Sequence, residues 1–324
     1  MLRWTGFIRV FLVAIVAGVA SASALSLLSD PYWAFRSDPP WLRGSYATNR
    51  LLDTDGRLAK PLQFILRPPP ETVLLGSSVM YRGLDPSTLP ISRTPAYNFG
   101  LSALMAYELP TLARLIVSRP SPRTIVIGLD YFSFTRFPLA APLSPDLDTP
   151  GGRALFVTNR VLSWRSLSGI GIAFGGETYE PGGWALNGFR QTPDRDARLT
   201  AQDDGRQLDN LLPFEPTALV GLDEALSILR DRHVVLYLSP LSNAQRRIFA
   251  AKGLEGDLDR WRSAVAASAA THGVPFHDLT DDRQFDDFDP QVGSSPSWFD
   301  NLHFKPAVGQ WVVDAIDVAG LDAR

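Results

Sequence analysis

The apolar positions along this chain change their period several times, and each change marks an element. Residues 10–28 form an uncharged run of nineteen residues rich in Val, Ala, Leu and Ile. That is about the length of a membrane-spanning helix. Val73, Leu74 and Leu75 form a short apolar run that Gly76-Ser77-Ser78 breaks. The pattern predicts a buried strand over 71–76 that ends in a tight turn. A short second strand is expected over 96–99. Residues 101–118 carry Leu104, Leu109, Leu112, Leu115 and Ile116 at helical spacing, with Pro120 and Pro122 just beyond. The TIVIGL run, 124–129, is β-branched and apolar, as a central parallel strand requires. The alternation continues with a helix over 217–231, the strand HVVLYL at 233–238, a helix over 257–272, a strand over 274–277 and a closing helix over 307–319. Such alternation predicts an α/β fold of flavodoxin-like architecture, a three-layer parallel sheet with right-handed crossovers.

Two stretches break the rhythm. Residues 30–70 hold Pro31, Pro39, Pro40 and the run Pro68-Pro69-Pro70, interleaved with Tyr32, Trp33, Phe35 and Trp41. They read as an extended, membrane-proximal segment whose aromatics either sit at a bilayer interface or pack on the domain. Residues 131–216 are rich in Gly and Pro, with one helix expected over 153–167. A connection that long is a functional insertion or a subdomain, and it leaves the sheet at the carboxyl end of the central strand. The chain therefore divides into a signal anchor or transmembrane helix (1–29), a membrane-proximal segment (30–70) and an α/β domain (71–324) with an insertion at 131–216.

Charge adds an orientation. Arg3 and Arg9 flank the first apolar run on one side, which keeps that end cytoplasmic and exports the remainder, to the periplasm in a two-membrane cell. Ala20-Ser21-Ala22 and Ala22-Ser23-Ala24 are A-x-A cleavage signatures, so a cleaved signal peptide is the rival. The run continues through Leu25, Leu27 and Leu28, which favours an uncleaved anchor. Of 324 residues, 45% are hydrophobic, enough for a large core, and the net charge of −3 suggests no nucleic-acid partner. With no cysteine, disulfides, thiolate metal sites and a cysteine nucleophile are excluded. No cofactor is indicated. The acidic stretch 278–289 lacks EF-hand spacing and reads as a solvated loop rather than a calcium site.

Candidate chemistry begins where the first strand ends. In an open parallel sheet, ligands sit beyond the carboxyl ends of the strands, and the turn there presents the Ser78 hydroxyl. A serine needs a base and the base needs an orienting carboxylate. Of the four histidines, His233, His272 and His277 fall at strand or helix ends. His303 lies in a loop before Pro306, with Asp300 three residues earlier, a spacing that lets carboxylate and imidazole converge on one turn. Trp164, Tyr179 and Trp184 in the insertion are either sugar-stacking or core aromatics.

Taken together, these blocks resemble the SGNH (GDSL-like) hydrolase superfamily, in the exported, membrane-anchored branch that includes the alginate O-acetylation and teichoic acid D-alanylation proteins. Gly76-Ser77-Ser78 stands at the family's serine block, with Ser77 in place of the usual Asp. Tyr97-Asn98-Phe99-Gly100 matches the block whose glycine amide serves the oxyanion, and Asp300 to His303, before Lys305-Pro306-Ala307, matches the last block. Gly128-Leu129-Asp130 carries an acid where the family has asparagine. The resemblance covers about 71–130 and 233–319 and leaves out the insertion. It implies Ser78 as nucleophile, His303 as general base and Asp300 as its orienter. It also implies an oxyanion hole from the Ser78 and Gly100 amides, with Asn98 in place of the missing amide. Asp130 departs from the family; it reads either as orienting Arg82 or a substrate hydroxyl, which makes Arg82 and Asp130 the substrate-orienting candidates, or as a strand-end carboxylate in an ordinary turn. The expected activity is transfer or hydrolysis of an acyl ester on an extracytoplasmic polysaccharide, with a membrane-borne acyl donor as possible partner. A non-catalytic glycan-binding or assembly subunit is the alternative.

Overall fold

A computed structural model describes residues 2–36, 47–88, 90–137, 141–161, 164–174, 182–193, 211–289, 292 and 295–316. Five parallel strands form the central sheet: β1 (Thr72–Leu75), β2 (Ala96–Asn98), β3 (Thr124–Leu129), β6 (His233–Leu238) and β7 (Phe276–Asp278). A separate two-residue hairpin pairs β4 (Gly183–Trp184) with β5 (Arg190–Gln191). The sheet order is β2-β1-β3-β6-β7. This is the doubly wound, flavodoxin-like order, and its reversal point lies between β1 and β3. Every residue of β1 and β3 is buried, which explains why both read as unbroken apolar runs rather than alternating ones.

Helices cover both faces. Val73, Leu75, Ile125, Ile127, Leu236 and Leu238 point to one side, where they meet α4 (Leu109–Val117), α7 (Leu219–Ile228) and α9 (Glu255–His272). Leu74, Val126, Val235 and Tyr237 point to the other, against α3 (Ser78–Gly83) and α10 (Pro306–Ala315). These are the alternate faces that a period of two demands, and the result is a three-layer α/β fold. The remaining helices are α1 (Leu2–Ser29), α2 (Arg50–Leu66), α5 (Pro150–Val161), α6 (Trp164–Phe174) and α8 (Asn243–Lys252).

The segment 30–70 departs from the extended form expected of it. Its centre is α2, which bends at Asp55 and continues through Pro61. Gly56 and Pro61 lower its intrinsic propensity, but burial of Leu51, Leu52, Ala59, Leu62 and Phe64 holds it in place. Tyr32 and Trp33 pack into the same cluster, so these two aromatics belong to the domain. Trp41 lies outside the described residues. In the insertion, the single helix expected over 153–167 is two, α5 and α6.

The N-terminal helix is long, apolar and exposed, with mean hydropathy 2.3 in its most apolar window. Its 28 residues extend about 42 Å, more than a hydrocarbon core of about 30 Å. Length and composition suit a membrane anchor or a signal sequence. Its C-terminal end is built into the fold. Ser26 Oγ donates to Val161 O at 2.6 Å. Asp30 ends the helix at φ 43°, and its carboxylate accepts the amides of Ala34, Phe35 and Arg36.

Candidate active site

Ser78 is the first residue of α3, directly beyond β1. Ser77 caps that helix, its hydroxyl accepting the Val79 amide at 3.1 Å and donating to Asp130 at 2.5 Å. A serine in place of an aspartate can do both, since a hydroxyl donates as well as accepts. Asp130 follows β3, so the two residues face each other across the reversal point of the sheet.

His303 arrives from the far end of the sequence. Its loop is closed by the Trp298–Phe304 bridge, with Phe299 N donating to His303 O and Lys305 N to Ser297 O, both at 2.8 Å. Trp298 is buried, and its indole N–H donates to Phe285 O at 2.7 Å. Ser242 Oγ donates to Asn301 O at 2.5 Å. Two glycines bring this loop to Ser78. A Cβ on Gly83 would lie 2.0 Å from the Phe304 ring, and one on Gly309 would lie 1.9 Å from Gly83 O. Only hydrogen at both positions lets α3 and α10 touch.

The three side chains form a continuous hydrogen-bonded chain. His303 Nε2 lies 2.8 Å from Ser78 Oγ, and His303 Nδ1 lies 2.7 Å from Asp300 Oδ2. Asp300 Oδ1 also accepts the amides of His303 at 2.7 Å and Leu302 at 2.9 Å, which fixes the carboxylate on its own turn. All three residues are buried. Burial works to raise the Asp300 pKa. The charge and hydrogen bond of His303, with the Arg82 guanidinium, outweigh it and hold the carboxyl well below the ordinary carboxylate range.

Asp130 sits in the same pocket, and its carboxylate takes hydrogen bonds from Ser77 and Ser239. Burial pushes its pKa up, against those hydrogen bonds and the nearby His303. Arg82 follows Ser78 by one helical turn on α3 and lines the pocket with it.

Asn98 and Gly100 are placed otherwise than expected. The Asn98 amide group donates to Met80 O at 2.9 Å and Leu84 O at 2.8 Å, and its oxygen accepts the Gly100 amide at 2.9 Å. Asn98 therefore terminates α3 and occupies the very N–H assigned to the oxyanion. Both groups are spent on holding the β2 loop to the serine helix. That use is invisible in the sequence, where an Asn two residues before a Gly looks free.

Other contributors carried no sequence signal. Lys60 of α2 is buried and donates to three carbonyls, Gly100 at 2.7 Å, Gly188 at 2.9 Å and Asn98 at 3.0 Å. Burial drives its pKa well below that of a free lysine. It ties the loop beyond β2 to the β4–β5 hairpin. The turn that follows, Leu101 to Leu104, puts Ala103 at φ 49°, and Ser102 and Ala103 wall the pocket. A non-glycine residue in that conformation is strained by about 1–3 kcal/mol.

The pocket beside Ser78 and His303 has a volume of about 340 Å³. Tyr131, Phe132, Phe137 and Leu211 of the insertion line it, so part of the insertion walls the pocket that holds the serine. The indole N–H of Trp261 and the side-chain oxygen of Asn301, also in its wall, have no hydrogen-bond partner among the described residues. A second hollow of about 570 Å³ adjoins it, sharing Tyr81, Arg82, Ser102, Ala103 and Phe137. Trp184 borders the second hollow as a core residue. It is 4% exposed, tilted on Tyr81, with its N–H donating to Asp53 at 2.8 Å. The Trp164 side chain and Tyr179 lie outside the described residues. In the acidic stretch, Arg262 bridges Asp278 and Asp281, and Arg246 pairs with Asp286. No cluster of three or more metal-ligating side chains occurs among the described residues.

No protein-family model matches the sequence, and no curated protein is similar to it. Among solved structures, the chain is similar to a Bacteroides fragilis protein whose assignment as an acylhydrolase is itself an inference. The match has a TM-score of 0.36 at 13% identity and covers 85% of this chain and 95% of that one. A superposition that loose carries no argument about chemistry, and the fold stands on the strand order above.

Proposed function

We propose that this protein is an acyl-transfer enzyme, an O-acyltransferase or its hydrolytic counterpart, acting on a cell-envelope or secreted polysaccharide outside the cytoplasmic membrane. The observation that carries the reading is the buried chain Ser78–His303–Asp300, with both links at hydrogen-bond length. Ser78 Oγ attacks the acyl carbonyl while His303 Nε2 takes its proton. Asp300 holds the Nδ1–H and stabilises the imidazolium. The tetrahedral oxyanion falls to the Ser78 amide, which as a first-turn N–H has no intrahelical carbonyl. Collapse expels the alcohol, which leaves with the proton from His303. An acceptor hydroxyl, or water, then loses a proton to His303, attacks the acyl-serine and frees Ser78.

Transfer rather than hydrolysis is favoured by the aromatic wall beside the serine and by the anchor. The insertion residues Tyr131, Phe132 and Phe137 reduce water access. A membrane tether raises the effective concentration of a membrane-borne acyl donor. One-sided Arg3 and Arg9 support export of the domain. The full chain in detergent should transfer an acetyl group to an oligosaccharide hydroxyl faster than to water, and Ser78→Ala should abolish both. Rapid hydrolysis indifferent to acceptor would make it an esterase.

A second reading has its own observation. Asn98 and Gly100 are committed elsewhere, and an acid stands at Asp130 in the pocket. Such a site suits a glycan-binding or assembly subunit that keeps the fold. Absence of Ser78-dependent turnover on any ester, in a folded chain, would select it.

A further inference from the structure

The last turns of α1 are packed against the insertion. From Trp4 to Ser21 every residue is exposed, but Ala22 and Ser23 are half-buried and Ser26 is buried. Their spacing puts these three on one side of the helix. The helices that pack along α1 are α6 and α5, and Ser26 Oγ donates to Val161 O at the end of α5. Leu25, Leu27 and Leu28, on the remaining side, are exposed.

Two arginines fix how deep that packing lies. Arg9 is the last charge before the apolar run. Beyond its other end, the Arg36 guanidinium donates to Leu28 O, next to the exposed Phe35. A guanidinium at either end of a span sits at headgroup level. Residues 10–28 rise about 28 Å between the two, close to a hydrocarbon core of about 30 Å. With Leu28 at the outer boundary, Ser26, Ser23 and Ala22 lie about 3 to 9 Å inside it. A helix packed on those residues shares their depth.

The composition of α6 suits that depth. Gly169 faces inward, where a Cβ would meet Leu51 Cδ2 of α2 at 3.2 Å. Ser168, Gly171 and Ile172 form the exposed stripe, at i, i+3 and i+4. A helix face turned to water ordinarily carries charged side chains. Here no charged residue occurs anywhere in 166–176.

Building on the reading of α1 as an uncleaved anchor, we infer that α6 is a second membrane contact. It lies in the outer-leaflet interface beside α1, with Ser168, Gly171 and Ile172 turned to phospholipid. The domain then rests on the bilayer instead of swinging on one tether. Because α2 packs on α6, and Asp53, Thr54 and Arg57 of α2 border the second hollow, that hollow is held about one helix diameter, roughly 10 Å, from the headgroups. A substrate still embedded in the bilayer is within reach of it.

The chain has no cysteine, so a single introduced cysteine is labelled uniquely. Nitroxides at Gly171→Cys and Ile172→Cys report on α6; a Cβ at Gly171 meets nothing within 4 Å, and Ile172 is 40% exposed, so both labels have room. Val16→Cys, in the exposed middle of α1, marks the hydrocarbon. Ala270→Cys, exposed on α9 at the β7 edge of the sheet, marks water. Full-length protein is reconstituted into phosphatidylcholine–phosphatidylglycerol vesicles. Power-saturation EPR then compares collisions with oxygen, which partitions into lipid, and with a water-soluble nickel chelate. Relative to Ala270, both α6 labels should lose nickel collisions several-fold and gain oxygen collisions, at a depth of about 5–10 Å and shallower than Val16. Nickel collisions as frequent as at Ala270, with Val16 protected, would put α6 in water and refute its lipid seat while leaving the anchor intact. Low rates for both reagents would put the labels against protein and refute it equally. A Val16 label as open to nickel as Ala270, or a mature chain lacking residues 1–24, would refute the anchor and the lipid seat together. None of these results bears on the Ser78 chemistry.

Discussion

Asp300→Asn separates geometry from protonation at the site. Asp300 accepts three hydrogen bonds: the amides of Leu302 and His303 at 2.9 and 2.7 Å, and His303 Nδ1 at 2.7 Å. Asparagine keeps the two backbone bonds through its oxygen. Its amide nitrogen then faces Nδ1 and can only donate. Nδ1 becomes an acceptor, and the imidazole proton moves to Nε2, 2.8 Å from Ser78 Oγ. In that tautomer the histidine cannot take the serine proton. The same tautomer error in Ser-His-Asp sites lowers kcat about 10⁴-fold, or roughly 5 kcal/mol of transition-state stabilisation. The structure should change little, because size and backbone contacts are preserved, so the melting temperature should fall by only a few degrees. That fall has a pH signature. The folded Asp300 pKa lies below its unfolded value, so its contribution to stability is present above about pH 4 and is lost as pH falls through the folded value. The deficit of Asp300→Asn should therefore shrink as pH drops below about 4. Steady-state kinetics on an activated ester, with thermal melts from pH 3 to 8, measure both effects. A variant that keeps more than a tenth of wild-type kcat would refute the assignment of His303 as a base oriented by Asp300.

Asp130→Asn should act in the opposite sense on stability. Its folded pKa is raised by burial, so wild-type stability declines as pH rises from about 4 to the folded value. The variant should gain on wild type across that window in thermal melts and match it below the window; a constant difference at all pH would contradict the buried-acid argument. Gly309→Ala places a methyl 1.9 Å from the Gly83 carbonyl oxygen, a backbone atom that cannot swing away. Overpacking of about 1–3 kcal/mol should exceed the helix-propensity gain of about 1 kcal/mol, giving a lower melting temperature and a weakened Ser78–His303 alignment visible as reduced kcat. Leu25, Leu27 and Leu28 carry the apolar run past both A-x-A sites, so intact mass of the membrane-extracted protein should include residues 1–24; a mature N-terminus at Ser23 or Leu25 would show a cleaved leader instead.

The sheet was legible because its strands are buried on both faces and so appear as apolar runs. TIVIGL and HVVLYL sit at Thr124–Leu129 and His233–Leu238, as their composition predicts. The Asp300–His303 pairing was readable from its three-residue spacing, a local feature; that Ser78 meets it from 225 positions away was legible only through the order of the blocks and the family they resemble. Long-range commitments were not. Asn98 and Gly100 look available in sequence, yet the folded chain spends them on the end of α3. Lys60 lies in a segment whose prolines and interleaved aromatics argued for an extended form, and its three carbonyl partners come from residues 38 to 128 positions away. Ala103 takes a left-handed conformation for which its sequence gives no glycine signal. Tertiary packing overrides local preference at all three places.

The central claim is that Ser78 is an activated nucleophile, and reaction with a fluorophosphonate tests it most directly. Full-length protein in detergent, treated with the probe and examined by intact mass and peptide mapping, should carry one adduct per chain, on Ser78. Ser78→Ala should abolish labelling, and His303→Ala should slow it by orders of magnitude while the protein stays folded. Folded wild-type protein that takes no label at Ser78, or labels equally fast without His303, would contradict the account.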